Sequence, residues 1–159
     1  MKKVEDVITG DFKGRTPLHE AAKQGHLKIF QALIDKTRNK NPKDDMGNTP
    51  FHEAARMGHL LICNEILDNI LDKNPKNDNG WTPLHSAAKK GHLEICEAIM
   101  IYLKDKNPWD NFGRTPLSEA AKIGLKSLCR DKNEQIERKN QKEENWSKLF
   151  QEATEMSAH

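Results

Sequence analysis

The stretch TPLHSAAKKGHLEIC, Thr82 to Cys96, decides how this chain reads. It returns in altered form as TPLHEAAKQGHLKIF from Thr16, TPFHEAARMGHLLIC from Thr49 and TPLSEAAKIGLKSLC from Thr115. The starts lie 33 residues apart, and a fixed period of this length is the mark of a repeat array. The same period absorbs the chain's punctuation. Pro17, Pro50, Pro83 and Pro116 form one series, and Pro42, Pro75 and Pro108 a second, which uses every proline. Every glycine except Gly10 and every histidine except His159 also falls in register.

Local chemistry says what the unit builds. Thr82 before Pro83 reads as a helix N-cap followed by a first-turn proline, which has no N–H to leave unsatisfied. His85 stands three residues after the cap, within reach of it as in a capping box. Ala87 and Ala88 are small enough for a neighbouring helix to approach closely. Gly91 is expected to end a helix of about two turns in the left-handed conformation that glycine adopts without a steric penalty. Leu93, Ile95, Cys96, Ile99, Met100 and Leu103 supply the apolar stripe of a second helix. Asn107-Pro108 is expected to stop that helix, because a residue before proline avoids the helical region. An extended segment and a glycine turn then lead to the next Thr-Pro.

The pattern resembles the ankyrin repeat, a 33-residue turn and two antiparallel helices with a T-P-L-H-x-A signature. The resemblance implies an all-α solenoid of helix-turn-helix units with short β-hairpin-like turns, covering roughly residues 4 to 130. Repeats are expected at 11–43, 44–76, 77–109 and 110–130. Residues 1–10, with Val4, Val7 and Ile8 at helical spacing, read as a cap or as the boundary of a longer protein. Repeat 4 departs from the pattern: Ser118 replaces the cap histidine, Leu125 the Gly-His histidine, and Lys126 stands where Leu27, Leu60 and Leu93 stand. These changes tell against a second helix of the usual kind, and repeat 4 should be the weakest unit.

A chain of 159 residues with 35% hydrophobic content suits a solenoid, whose units contact only their neighbours. A net charge of +2 gives no basis for attraction to nucleic acid or a membrane surface, and the apolar run Ala98–Leu103 is far too short to span a bilayer. The N-terminal ten residues carry charge without a signal core. Cys63, Cys96 and Cys129 recur in register, with Phe30 in the same slot of repeat 1. Equivalent atoms of stacked helices lie ~10 Å apart, beyond the ~7 Å reach of a disulfide, so the thiols should be free, buried and in a reducing compartment. The cytoplasm, with the nucleus as second choice, follows from that.

After Cys129 the composition turns polar, and Ile136 is the only aliphatic residue from Arg130 to Lys148. Trp146, Leu149, Phe150 and Ala153 then form a short helical stripe. Residues 131–159 read as a charged helical extension or tail whose last helix covers the apolar end of the stack, or else as a partner-binding helix.

Catalytic and metal readings find no footing. HEAAK and HEAAR lack the second histidine of the zinc-protease helix, since Lys23 and Arg56 hold that place. The in-register histidines are structural positions of the repeat, and there is no phosphate loop or nucleophile elbow. No enzyme activity and no cofactor is expected. What varies is surface. By resemblance, a concave turn-and-helix face binds a protein partner through Phe12, Arg15, Asp45, Met46, Asn48, Arg56, Met57, Asp78, Asn79, Trp81, Lys89, Lys90, Asn111, Phe112 and Arg114. Lys23, Arg56, Lys89 and Lys122 make a basic row beside an acidic row of Glu20, Glu53 and Glu119 that Ser86 interrupts. The plain account is that these are intrahelical pairs worth a few tenths of a kcal/mol each. Phe12, Trp81 and Phe112 fall on turn tips that should be wet, where aromatic residues mark binding hot spots.

The expected function is that of a non-catalytic, monomeric protein-interaction module. Two alternatives are a fragment of a larger channel, kinase or ubiquitin-ligase adaptor, and a short free-standing inhibitor resembling the ankyrin inhibitors of NF-kappa-B.

Overall fold

A computed structural model of the chain describes the backbone of residues 10–130, the side chains of residues 10–123, and residues 148, 149, 151 and 152. The expectations for residues 1–9, for the side chains of Lys126 and Cys129, and for most of the 131–159 extension lie outside the described residues. Of the C-terminal stripe only Leu149 is described; it is helical, half-buried and packed against the core.

Among the described residues 10–130, seven helices alternate in two rows. The inner row is α1 (Pro17–Gln24), α3 (Pro50–Met57), α5 (Pro83–Lys90) and α7 (Pro116–Arg130); the outer row is α2 (Leu27–Ile34), α4 (Leu60–Asn69) and α6 (Leu93–Met100). Each inner helix packs on the next inner helix and, through α5, on its own outer partner. There is no strand among the described residues. The alanine pairs let the inner row close up: Ala22, Ala54, Ala55, Ala87 and Ala88 are fully buried. Phe30, Cys63 and Cys96, from the shared slot of the period, lie fully buried between the rows. Cys63 and Cys96 are free thiols, and burial pushes the Cys63 thiol up to about 12 and raises Cys96 as well.

The Thr-Pro-x-His starts do more than begin helices. The backbone N–H of Thr16, Thr49 and Thr82 donates to Nδ1 of His19, His52 and His85 at 3.0, 3.1 and 3.3 Å. An Nδ1 that accepts must belong to an imidazole carrying its proton on Nε2. That Nε2–H donates to the carbonyl of Asn48, Trp81 and Arg114, each 29 residues on, at 2.9, 2.9 and 3.1 Å. One ring thus caps its own helix and ties it to the following turn. The rings are buried, and desolvation lowers the pKa of all three, His52 to about 4. The second histidine series ties backward. His59 and His92 each donate Nε2–H to a carbonyl of the preceding unit's inner helix, Lys23 and Arg56, both at 3.1 Å.

The glycines that these two rings approach, Gly25 and Gly58, are confined from two directions. Gly58 has φ 85°, and a Cβ built on it would come within 2.7 Å of the His92 ring. Only glycine fits both the left-handed turn and the close approach of the next unit.

One expectation is corrected here. The outer helices end well before the Asn-Pro pairs: α6 stops at Met100, so Leu103 lies beyond it, half-buried. The ends are made by lysine. Lys40, Lys73 and Lys106, again 33 residues apart, point their ammonium groups at carbonyls in the last turn of α2, α4 and α6 or just past it, namely Ile34, Leu67 with Ile70, and Met100 with Leu103. The cation satisfies orphan carbonyls and suits the negative end of the helix dipole. The adjacent asparagine serves the next helix: Oδ1 of Asn41, Asn74 and Asn107 accepts the backbone N–H of Phe51, Leu84 and Leu117 at 3.3, 3.2 and 3.0 Å. The Lys-Asn-Pro triplet therefore joins one unit's outer helix to the next unit's inner helix.

Repeat 4 departs from the others in structure as it does in sequence. Gly124 does not break the helix, and α7 runs unbroken for 15 residues. A leucine at position 125 has no ring N–H to donate to the carbonyl of Lys89, so the backward tie that makes the Gly-His turn favourable has no counterpart here.

Candidate functional site

Each turn tip is built by one short polar side chain. Oδ1 of Asp11, Asp44, Asn77 and Asp110 accepts two backbone N–H groups, from the residues two and four positions later, at 2.8–3.0 Å. Successive tips are linked through backbone bonds from Asp45 to Lys13, Asp78 to Met46 and Asn111 to Asn79 at 3.0, 3.1 and 2.9 Å. The turns are thus zipped side by side without becoming strands. This leaves one slot per unit, Arg15, Asn48, Trp81 and Arg114, whose backbone is fully engaged. Its carbonyl, from Asn48 onward, accepts the histidine of the preceding unit. The main chain does the structural task, so the side chain is free to differ.

The side chains expected to meet a partner fall into three groups. Phe12, Asp45, Met46, Asp78, Asn79, Asn111 and Phe112 are exposed on the tips, and Met57, Lys89 and Lys90 are exposed at the ends of inner helices. Phe12, Met46 and Phe112 present 89%, 62% and 66% of their surface. Arg15, Asn48, Arg56 and Arg114 are half-buried and committed to neighbours. Arg15 pairs with Glu20 at 3.5 Å, Arg56 with Glu53 at 2.5 Å, and Asn48 accepts from the Asn77 amide at 2.9 Å. The expected i, i+3 pairs thus form at Glu53–Arg56 and at Glu119–Lys122, while Glu20 turns to Arg15 and Gln24.

Trp81 is not the fully wet tip residue that the sequence predicts. It is half-buried; its ring lies 4.8 Å from that of His85, and its indole N–H donates to Ser86 Oγ at 2.8 Å. Around it the structure assembles a facet that the sequence leaves scattered. The Arg114 guanidinium lies 4.6 Å from the Trp81 ring and 5.1 Å from Phe112, and the Lys89 ammonium lies 5.6 Å from Trp81. Arg114 is held there by Asp110, whose buried Oδ2 accepts its Nε–H at 2.6 Å. Burial alone would raise the Asp110 carboxyl. The N–H groups of Arg114, from backbone and guanidinium, and of Phe112 more than offset it and leave the pKa lowered. What sequence reasoning missed are the roles of Ser86 and Asp110. Ser86 stood among the variable positions of the inner helices as a gap in the acidic row, and Asp110 carries only the general preference of short polar side chains for turns.

Nearby, Trp109 is 66% exposed and lies against the Gly113 turn, at 3.9 Å from a Cβ built there. Among the described residues no helix is long and apolar enough to cross a membrane, and no group of three histidine, cysteine or acidic side chains is placed to hold a metal.

A family model described as ankyrin repeats (3 copies) matches the chain over residues 2–77 and again over 64–140. No curated protein matches it.

Proposed function

Because the chain belongs to the ankyrin-repeat family, whose arrays are generally protein-interaction modules, we propose that it binds a protein partner through the surface formed by its turn tips and inner helices. The observation that carries this reading is the row of exposed apolar side chains Met46 and Phe112 beside Trp81, rimmed by Arg114 and Lys89. An apolar centre with a polar rim is the anatomy of an interface, and a rigid platform lowers the ordering cost of binding. The module acts as a monomer in the cytoplasm or nucleus and takes no cofactor. Affinity capture with the intact chain and with Phe112→Ala tests it. Phe112 is 66% exposed beside the guanidinium of Arg114, so the variant should melt like the parent while losing about 2 kcal/mol of partner affinity. Lys104→Ala, exposed beyond α6, should lose nothing. Equal capture by Phe112→Ala and the parent would remove the tips from the interface.

A further inference from the structure

Resting on that reading, we infer that the facet on the third and fourth units recognises an acidic segment of the partner, taking a side-chain carboxylate between Lys89 and Arg114 and an apolar neighbour over Trp81 and Phe112. The four inner helices share a plan with one exception. α1 and α3 each carry a glutamate at the fourth position and a base at the seventh, and so does the start of α7; α5 alone carries Ser86 in the glutamate's place. The consequence is electrostatic. Arg56 and Lys122 are neutralised by Glu53 and Glu119 one turn back, at 2.5 and 2.6 Å. Lys89 has no such carboxylate, and Lys90 follows it, so α5 holds two cations and no acid.

Ser86 is not an idle replacement. Its hydroxyl accepts the Trp81 indole N–H, which fixes the ring beside His85 and within reach of both cations. Arg114 is fixed in turn, with Nε engaged by Asp110 and the rest of its fork directed along the aromatic faces of Trp81 and Phe112. The facet therefore offers one pre-oriented guanidinium, one uncompensated ammonium and two partly open aromatic faces. That is a match for a carboxylate adjoining an apolar side chain. It is a poor match for an extended polyanion. The neighbouring tips carry exposed Asp45 and Asp78, and the chain as a whole has a net charge of only +2, so a phosphate backbone running along the tips would meet acids beyond the facet.

The test is selection of a random displayed peptide library on the intact chain, followed by titration of one enriched synthetic peptide. The expected result is enrichment of Asp or Glu beside an apolar residue, with affinity weakened about tenfold or more by Lys89→Glu and by Ser86→Glu. Ser86→Glu installs the residue of the other three inner helices, and a thermal melt verifies that it folds. Phe112→Ala reports on the surface itself. If it weakens the peptide while enrichment shows no acidic preference, or while Ser86→Glu and Lys89→Glu bind as the parent does, the acidic inference falls and the binding face stands. If peptides are enriched but Phe112→Ala does not weaken them, both fall. No enrichment, or displacement of the peptide by a short oligothymidylate at lower concentration, also overturns the inference.

Discussion

Helices α3 and α7 start alike, with Thr-Pro and then Glu-Ala-Ala, yet they occupy different mechanical positions. α3 is tied on both sides. His52 caps it and reaches forward to the Trp81 carbonyl, while its own Arg56 carbonyl accepts His92 from the next unit. Its alanine pair, Ala54 and Ala55, is fully buried. α7 keeps the cap and loses the ties. Ser118 Oγ accepts the Thr115 N–H at 2.9 Å and donates to the Thr115 carbonyl at 2.9 Å, so all its bonding is local. Ala120 remains buried but Ala121 is exposed. Serine replaces what histidine does for one helix and cannot replace what it does between units, because a hydroxyl on one carbon does not span the gap that an imidazole bridges. In this array the caps make helices and the histidines make the stack.

The sharpest way to break that contrast is His52→Ala. It removes a cap worth ~1 kcal/mol, strands the Trp81 carbonyl and leaves a cavity the size of an imidazole, for a combined loss of roughly 4 kcal/mol. A denaturant titration would read it, and a loss below that of a simple cap would mean the inter-unit bond contributes nothing.

Acid should produce nearly the same effect without mutation. The folded pKa of His52 is lowered from 6.5 to about 4, so between those values the unfolded chain binds more protons than the folded one. Stability is intact above the unfolded pKa of 6.5 and falls as the pH drops toward 4, by about 3 kcal/mol from this residue. His19 and His85 shift in the same direction and steepen the fall. Melts at pH 7 and pH 5 should differ for the parent and differ less for His52→Gln.

Gly58→Ala probes the backward tie. With φ at 85° and the His92 ring where the new Cβ would sit, the substitution should cost about 2 kcal/mol, read as a lowered midpoint. The smallest effect belongs to the terminal unit. Ser118→Ala removes only a local cap, and ~1 kcal/mol is expected, with earlier hydrogen exchange confined to residues 116–123. If Ser118→Ala matched His52→Ala, the distinction between capping and stacking would not hold.

Much of this was open to reading from one strand of letters. The 33-residue period, the Thr-Pro caps and the Gly-His breaks are local, and each rests on a conformational preference that a residue carries wherever it stands. The two-row arrangement followed because each unit's apolar stripe had only its neighbours to bury against. The Lys-Asn-Pro triplets were equally visible as a repeat, but the role of their lysine was not, because its reach back over six residues to a carbonyl has no short-range signature. What tertiary structure alone decided was which side chains meet across units: that His52 bonds to Trp81 rather than to any other carbonyl, that α7 passes through Gly124, and that Arg114 and Lys89 converge on Trp81 to make a charged aromatic facet. The His52 bond and the Arg114 contact depend on distances between residues about one period apart in sequence, and such distances are fixed only when the units are stacked.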